Sequence, residues 1–419
     1  MNCRDVLLTF VIVLIFFFSG EMRIYNLILG EKMSVIMMFI CCFIYNYISN
    51  KSFKLSHFNE YALSIIIGWI LFASYILNHE SSGKTIVICM NIASICFLVS
   101  STSFNIFRNK MLKVASIISL LSIVVQIGHD IGLFPAYQVN FDVANSPRSL
   151  YIFTTEWGEG TRLASIYWEP GQYQIILSYV ICLFADELSD VKNFDKIIKK
   201  FGIIILAFIL TRSTMGYVVF TLILVTIFSN FIFNKRNFFL SPFIVLLGFF
   251  IIYTIYNSEA IQQKLEQSDN IKAHSSFSVR LADNLALLNC IEEKPITGWG
   301  PESPHLKSSL YSFGSTTDSN GVLLASAELG LIYTAIWTVL LFLGLNRMYG
   351  WKITIGLTIS LLLAQMNEVG YFLPIVYIYL FKFKSYNSSK KIQLKTIIKI
   401  YLNCKNQKKM PHPYLIENI

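Results

Sequence analysis

FGIIILAFILTRSTMGYVVFTLILVTIFSNFIF, residues 201–233, is 33 residues long, largely apolar and interrupted by a single charge, Arg212. As one α-helix it is about 50 Å long, well beyond the ~30 Å hydrocarbon core of a bilayer, while two complete spans need about 40 residues. Arg212 decides between these readings. An arginine at mid-membrane costs at least ~2.5 kcal/mol, so the economical solution is a short turn, Thr211-Arg212-Ser213-Thr214, that joins two spans and reaches an aqueous outer cavity. A single helix also reverses everything downstream. Lys235, Arg236 and the lysines of the C-terminal tail would then face outward, against the rule that basic residues stay on the cytoplasmic side.

Outward from this stretch the chain keeps the same character. It is 54% apolar and 14% charged, far from the roughly 25% charged expected of a soluble globular protein. Its apolar segments are mostly too long for the ~10-residue alternating strands of a membrane barrel. The reading is an all-α polytopic membrane protein of about twelve transmembrane helices, near residues 5–20, 33–49, 60–77, 85–103, 111–128, 164–185, 198–212, 214–233, 238–256, 320–345, 353–369 and 370–383. Val6–Phe18 is taken as the first span rather than a signal peptide, because Glu21 and Arg23 follow it and no small-x-small cleavage site does. With both termini cytoplasmic, most basic residues fall inside. The net charge of +9 is thereby explained without nucleic acid. Residues 1–383 form a single transmembrane domain and residues 384–419 a basic tail, with an amphipathic surface stretch around Ile392–Leu402 that meets membrane lipids. The eight cysteines show no metal-ligand spacing and read as small apolar packing.

Two long segments, about 129–163 and 257–319, lie outside. Loops of this size are functional or disordered, and both hold aromatic, glycine and charged residues, so the chemistry is expected on that face. The outer arginines are Arg148, Arg162, Arg212 and Arg280; a planar guanidinium keeps its charge and binds phosphate through two donors. The sixth span opens with Arg162-Leu-Ala-Ser-Ile-Tyr167-Trp168-Glu169-Pro170-Gly171-Gln172-Tyr173. Glu169 has two roles open to it, a general base or arginine anchor on one hand, and a carboxylate that stabilises the helix N-terminus on the other. Pro170 favours a helix start there. Asp318-Ser319-Asn320 stands before the tenth span, either as an N-cap or as polar groups over the same cavity. His305 reads as a surface residue. No glycine-rich phosphate loop, zinc spacing or nucleophile elbow is found.

These residues resemble the Wzy-type O-antigen and capsular polysaccharide polymerases, within the superfamily that also holds the O-antigen ligases. The resemblance rests on Arg162-Leu-Ala-Ser-x-Tyr-x-Glu169-Pro170, on Leu-Thr-Arg212-Ser-Thr-x-Gly216, on Ser278-x-Arg280 with Pro-Ile-Thr-Gly298-x-Gly300, and on Asp318-Ser-Asn320-Gly321 leading into Ala-Glu328-x-Gly330. It covers residues 130–345. It implies a GT-C-like, metal-independent glycosyltransferase of the bacterial inner membrane, needing no cofactor. Such an enzyme joins undecaprenyl-diphosphate-linked oligosaccharides at the periplasmic face and works with a chain-length regulator and a flippase. In that frame Arg162, Arg212 and Arg280 hold the substrate diphosphate, Glu169 and then Asp318 are candidate bases, and Tyr167, Trp168, Tyr173 and Trp299 offer faces to sugars. Ligases resemble a His-Asn pair before a late span, where this chain has Ser319-Asn320. A lipid-linked oligosaccharide flippase is the other alternative, set against by the large unequal loops and the absence of an internal repeat.

Overall fold

A computed structural model describes residues 3–19, 30–51, 55–79, 82–135, 137–138, 148–150, 152–156, 162–167, 169–189, 194–232, 276–313 and 319–384. Residues 1–384 form one compact unit, and residues 385–419 a second that lies outside the described residues. The expected ninth span, 238–256, and the surface helix of the tail also lie outside them.

The first five expected spans are helical: α1 Cys3–Phe18, α2 Gly30–Asn50, α3 His57–Leu71 continued by a π-helical turn Phe72–Leu77, α4 Gly83–Ser101 and α5 Phe104–Asp130. α6 follows at Pro170–Cys182, then the short α7 Ala185–Leu188, α8 Phe194–Leu210 and α9 Thr214–Ile232. The stretch around Arg212 is therefore two helices with a turn between them. Beyond it come α10 Ser276–Glu293, α11 Pro304–Ser312, α12 Gly321–Tyr349 and α13 Trp351–Asn367. Among the described residues five helices are long and apolar enough to cross a bilayer: Lys32–Asn50, His57–Leu77, Gly83–Ser101, Phe104–Asp130 and Gly321–Tyr349. The chain is a multi-pass membrane protein, largely helical, with one small addition. Three short strands, β1 Tyr137–Gln138, β2 Arg148–Leu150 and β3 Phe153–Glu156, make an antiparallel sheet between α5 and α6.

Two expected spans take other forms. The sixth, expected from residue 164, becomes helical only at Pro170, because the chain before it is tied to its neighbours in extended form: Thr154 N–H donates to Ser165 O at 2.7 Å and Leu163 N–H to Leu210 O at 3.0 Å. The twelfth, 370–383, is no α-helix. It is a 3₁₀ turn, Pro374–Leu380, with extended backbone on both sides. Irregular backbone survives at membrane depth only where protein satisfies its polar groups, and here side chains do so. Asn91 Nδ2 donates to Phe372 O at 3.0 Å, Ile375 N–H donates to Ser19 Oγ at 3.2 Å, and Asn59 both accepts from Lys382 N–H at 2.7 Å and donates to Lys382 O at 2.9 Å. Pro374 lacks an N–H and fits the first turn. Residues 373–381 are buried throughout. The segment ends where Lys384 N–H reaches Val99 O and Thr102 O, at the C-terminal end of α4.

Gly344 of α12 is what lets this segment in. A Cβ built there would lie 1.5 Å from Tyr379 O, a backbone atom that cannot rotate away. Gly344→Ala should therefore lower the thermal unfolding temperature of the detergent-purified protein, the loss being about 1–3 kcal/mol or more for forced overpacking. Gly68→Ala, where a Cβ meets nothing within 4 Å, should leave it near wild type; equal stability for the two would refute the close approach.

Candidate functional site

The motifs far apart in sequence meet in pairs. Arg162 lies just before α6 and donates from Nε to Thr211 O at 3.3 Å, while Leu163 bonds the last carbonyl of α8. The first motif is thus laid against the turn that carries Arg212. That turn is tight: Arg212 has φ 46°, a conformation few side chains adopt without a reason. Arg212 is exposed, and Tyr217 on the first turn of α9 feels both the Arg212 and the Arg162 charges.

Glu169 is the N-cap of α6 by backbone position, followed by Pro170 at N1, yet its carboxylate makes no capping hydrogen bond. A second carboxylate, Glu368, lies against the first turn of α6 and acts electrostatically on the same groups as Glu169. Glu368 follows the end of α13 and is 6% exposed. Gly171 makes room for it: a Cβ on Gly171 would lie 2.3 Å from Glu368 Oε1. Arg280, on α10, clamps this end of α13. Its NH1 donates to Asn367 O at 2.7 Å and to Asn367 Oδ1 at 3.0 Å, and its NH2 to Glu368 Oε1 at 2.9 Å. One turn further along α10, Asn284 accepts from Asn320 Nδ2 at 3.1 Å, and Asn320 in turn caps α12 through the N–H groups of Val322 and Leu323.

Charges of both signs therefore share one place. Burial pulls the Arg162 guanidinium below its ordinary pKa, Glu169 and Glu368 oppose that pull, and Arg280 adds to it. Four side chains expected to act together, Arg162, Arg212, Glu169 and Arg280, lie in this cluster or on its edge through Tyr217. Glu368 was not foreseen. Its signal was present, since a carboxylate between apolar runs is a functional hypothesis by default, and Met366-Asn367-Glu368-Val369-Gly370 interrupts two such runs.

The aromatic residues fall elsewhere. Tyr167 and Tyr173 are buried and stack on each other with ring centroids 5.4 Å apart. Their hydroxyls are engaged, Tyr167 donating to Phe16 O at 3.2 Å and Tyr173 bonding Ser119 Oγ at 2.7 Å. Neither ring is open to a sugar in this conformation. Trp299 is half-buried, stacks on His305 at 3.8 Å and donates from Nε1 to Cys290 O at 3.0 Å. His305 also bonds Glu293 at 2.8 Å. Arg148 lies in β2, and Trp168 and Asp318 are outside the described residues.

Trp299 belongs to a second polar cluster, at a break in α12. Gly330 there has φ 84° and ψ 163°, and a Cβ on it would lie 1.9 Å from Ile296 O. A helix break strands carbonyls on one side and amides on the other. The turn Pro295–Gly300 satisfies them: Trp299 N–H donates to Ala327 O and Gly300 N–H to Glu328 O, both at 2.8 Å, and Leu331 N–H donates to Pro295 O at 2.8 Å. Trp69 Nε1 takes Leu329 O at 3.0 Å. Beneath the break, Glu328 is 2% exposed, pairs with Lys84 Nζ at 2.9 Å and accepts from the Tyr371 hydroxyl.

These features define a multi-pass membrane protein whose helix α10 is clamped onto the end of α13 and the cap of α12, beside a cluster of arginines and carboxylates of which Glu368 is buried. Residues 201–338, about a third of the chain, match the family model described as O-antigen ligase, a model of the O-antigen polymerase and ligase superfamily. The matched stretch contains Arg212, Arg280, Trp299 and Glu328 but stops short of Glu368, and it begins after Arg162 and Glu169. No curated protein matches the chain.

Lys84→Met leaves Glu328 buried beside a tyrosine without its cation, so the expected loss is about 3–5 kcal/mol. Thermal unfolding in detergent measures it. The double variant Lys84→Met, Glu328→Gln should be closer to wild type than the single one, and additive losses would contradict the pairing.

Proposed function

We propose that this protein is a polymerase-type glycosyltransferase of the bacterial inner membrane. In this reading it joins undecaprenyl-diphosphate-linked oligosaccharide repeat units into a surface polysaccharide at the periplasmic face. The family match supports the setting, surface-polysaccharide biosynthesis. The single observation that carries the chemistry is the convergence of Arg162, Arg280 and the Arg212 turn on the Glu169–Glu368 pair, at one end of the span helices.

The donor's leaving group is already a diphosphate. It departs as an anion and needs stabilising positive charge rather than a proton, which preorganised guanidinium groups supply in a site sheltered from water. Arg162 and Arg212 are assigned that part. Arg280 already gives three hydrogen bonds to Asn367 and Glu368, so its part is to hold α10 over the site and to offer its remaining donors. The acceptor sugar hydroxyl must lose its proton as its oxygen attacks the anomeric carbon, and Glu169, half-buried at the start of α6, is the base. Apolar walls admit the polyprenyl chains. A GT-C-like arrangement, with both termini cytoplasmic and with a chain-length regulator and a flippase as partners, completes this reading; Trp299 stays a candidate sugar contact, and Trp168 and Asp318 keep the roles expected for them.

The second reading is ligase, the word in the matching family's description, although that match does not distinguish the two. Ser319-Asn320 in place of the His-Asn pair that ligases resemble, with Asn320 spent on capping α12, weighs against it. Gel analysis of surface polysaccharide after deletion of the gene separates the two. A polymerase leaves a single repeat on the lipid acceptor and no long chains; a ligase leaves none, with lipid-linked polymer accumulating. Restoring the gene as Arg162→Ala, Arg212→Ala or Glu169→Gln should fail to recover long chains, by at least ~100-fold, although the protein reaches the membrane. Normal chain lengths in all three would sink the proposed site.

A further inference from the structure

Glu328, in the Ala-Glu328-x-Gly330 motif, has no part in the chemistry proposed above. It is buried on α12 between the cap at Asn320 and the break at Gly330, where it takes two partners, the half-buried Lys84 ammonium at 2.9 Å and the Tyr371 hydroxyl. Buried ion pairs add little stability once desolvation is counted, and their best-attested use is to fix one arrangement among several. The arrangement fixed here is that of residues 367–372. Lys84 Nζ lies over the Tyr371 and Phe372 rings, 5.6 and 5.5 Å from their centres. Tyr371 O accepts from the Tyr377 hydroxyl at 2.5 Å and Phe372 O from Asn91 Nδ2 at 3.0 Å. At the other end, a Cβ on Gly321 would lie 2.8 Å from Glu368 O and 3.0 Å from Gly370 N. Thus α12 holds this segment at two places, Gly321 and Glu328, about 10 Å apart along the helix axis.

The contacts close into a ring. Arg280 on α10 donates to Asn367 and Glu368, and three residues on, Tyr371 donates to Glu328. From Glu328 the path returns along α12 to Asn320, which donates to Asn284, one turn of α10 from Arg280. Three residues of chain span at most about 11 Å, so little slack separates the Tyr371 anchor from the oxygens that Arg280 binds.

We propose that Lys84, Glu328 and Tyr371 are positioning residues for Arg280. This rests on the polymerase reading above, in which Arg280 offers its remaining donors to the departing diphosphate. The three residues touch no substrate. They hold the Asn367 carbonyl, the Asn367 amide oxygen and the Glu368 carboxylate where Arg280 must bind them for its other N–H groups to meet the leaving group. A guanidinium is planar and its donors point in fixed directions, so moving the oxygens that it binds re-aims every donor at once. A misplacement of about 1 Å, made far from the reacting atoms, is enough to cost on the order of 100-fold in rate.

A mutant cycle on chain extension tests this, because a merely structural role would not depend on Arg280. Membranes containing the full-length protein are supplied with the lipid-linked repeat unit that accumulates in the deletion strain, and kcat and KM are measured separately, normalised to the protein present. Tyr371→Phe keeps the ring and removes only the hydroxyl that reaches Glu328. Its kcat should fall by about tenfold or more while KM stays within about twofold, the signature of an interaction made in the transition state alone. The same substitution is then made beside Arg280→Lys, which keeps the charge but has no planar fork to aim. There the further loss from Tyr371→Phe should shrink to about twofold or less, since residues that act through one another are not additive. If Tyr371→Phe does not accumulate in the membrane, Glu328→Gln, which keeps an oxygen for both partners, goes through the same cycle. Wild-type kcat in the single variant, or a loss that is undiminished beside Arg280→Lys, overturns the positioning role and leaves the polymerase reading standing. Wild-type membranes that extend no chains overturn the polymerase reading itself, and this proposal with it.

Discussion

The contact between Arg280 and the end of α13 is the interaction on which the rest depends. One guanidinium reaches a backbone carbonyl, an amide oxygen and a carboxylate, and so fixes α10 to the end of α13. From there the order propagates. Glu368 is held where Gly171 leaves room for it, which sets the place of Glu169 at the head of α6. Asn284, one turn along α10, meets Asn320 and with it the cap of α12. Gly321, at the start of that helix, is pressed so closely on the 365–370 backbone that a Cβ would lie 2.8 Å from Glu368 O. Paired charges of this kind at a membrane edge cost more to bury than they return unless their geometry is good and their other hydrogen bonds are made. Their presence is therefore better explained by chemistry than by stability.

A second constraint shapes the molecule around the site. Backbone polar groups inside a bilayer must be satisfied within the protein. The chain meets this constraint twice without regular helix: along 370–384 through Asn59, Asn91 and Ser19, and at the Gly330 break through the turn 295–300. Both irregular segments adjoin residues of the outer site or loop. α12 packs against both α10 and α13. Glu328 lies buried beneath the break, paired with the half-buried Lys84.

What the sequence disclosed follows from how each feature is encoded. The turn at Arg212 was legible because one charge interrupts a hydrophobic run of the wrong length, and Pro170 marked the start of α6. Four motifs with no visible relation to one another turn out to pair, Arg162-Leu163 with the Arg212 turn and Gly298-x-Gly300 with Ala327–Gly330, because each pairing is made by backbone groups that residue identity does not report. Hydropathy reports burial and not conformation. Residues 370–383 are as buried as any span, yet Gly370 and Pro374 deny them a regular helix. Glu368 was hidden for the same reason, absorbed into the edge of an apolar run. Tyr167 and Tyr173 look like sugar platforms in the sequence, but the extended chain before α6 and the first turn of that helix direct both rings inward.

The most direct test of the central claim is to give the purified protein, in lipid nanodiscs, a polyprenyl-diphosphate-linked repeat unit as its sole substrate and to follow the products by mass spectrometry. The account predicts a ladder of polyprenyl-diphosphate-linked oligomers, with one free polyprenyl diphosphate released for every linkage made. Substrate recovered unchanged, or transferred only when a lipid A acceptor is added, would contradict it.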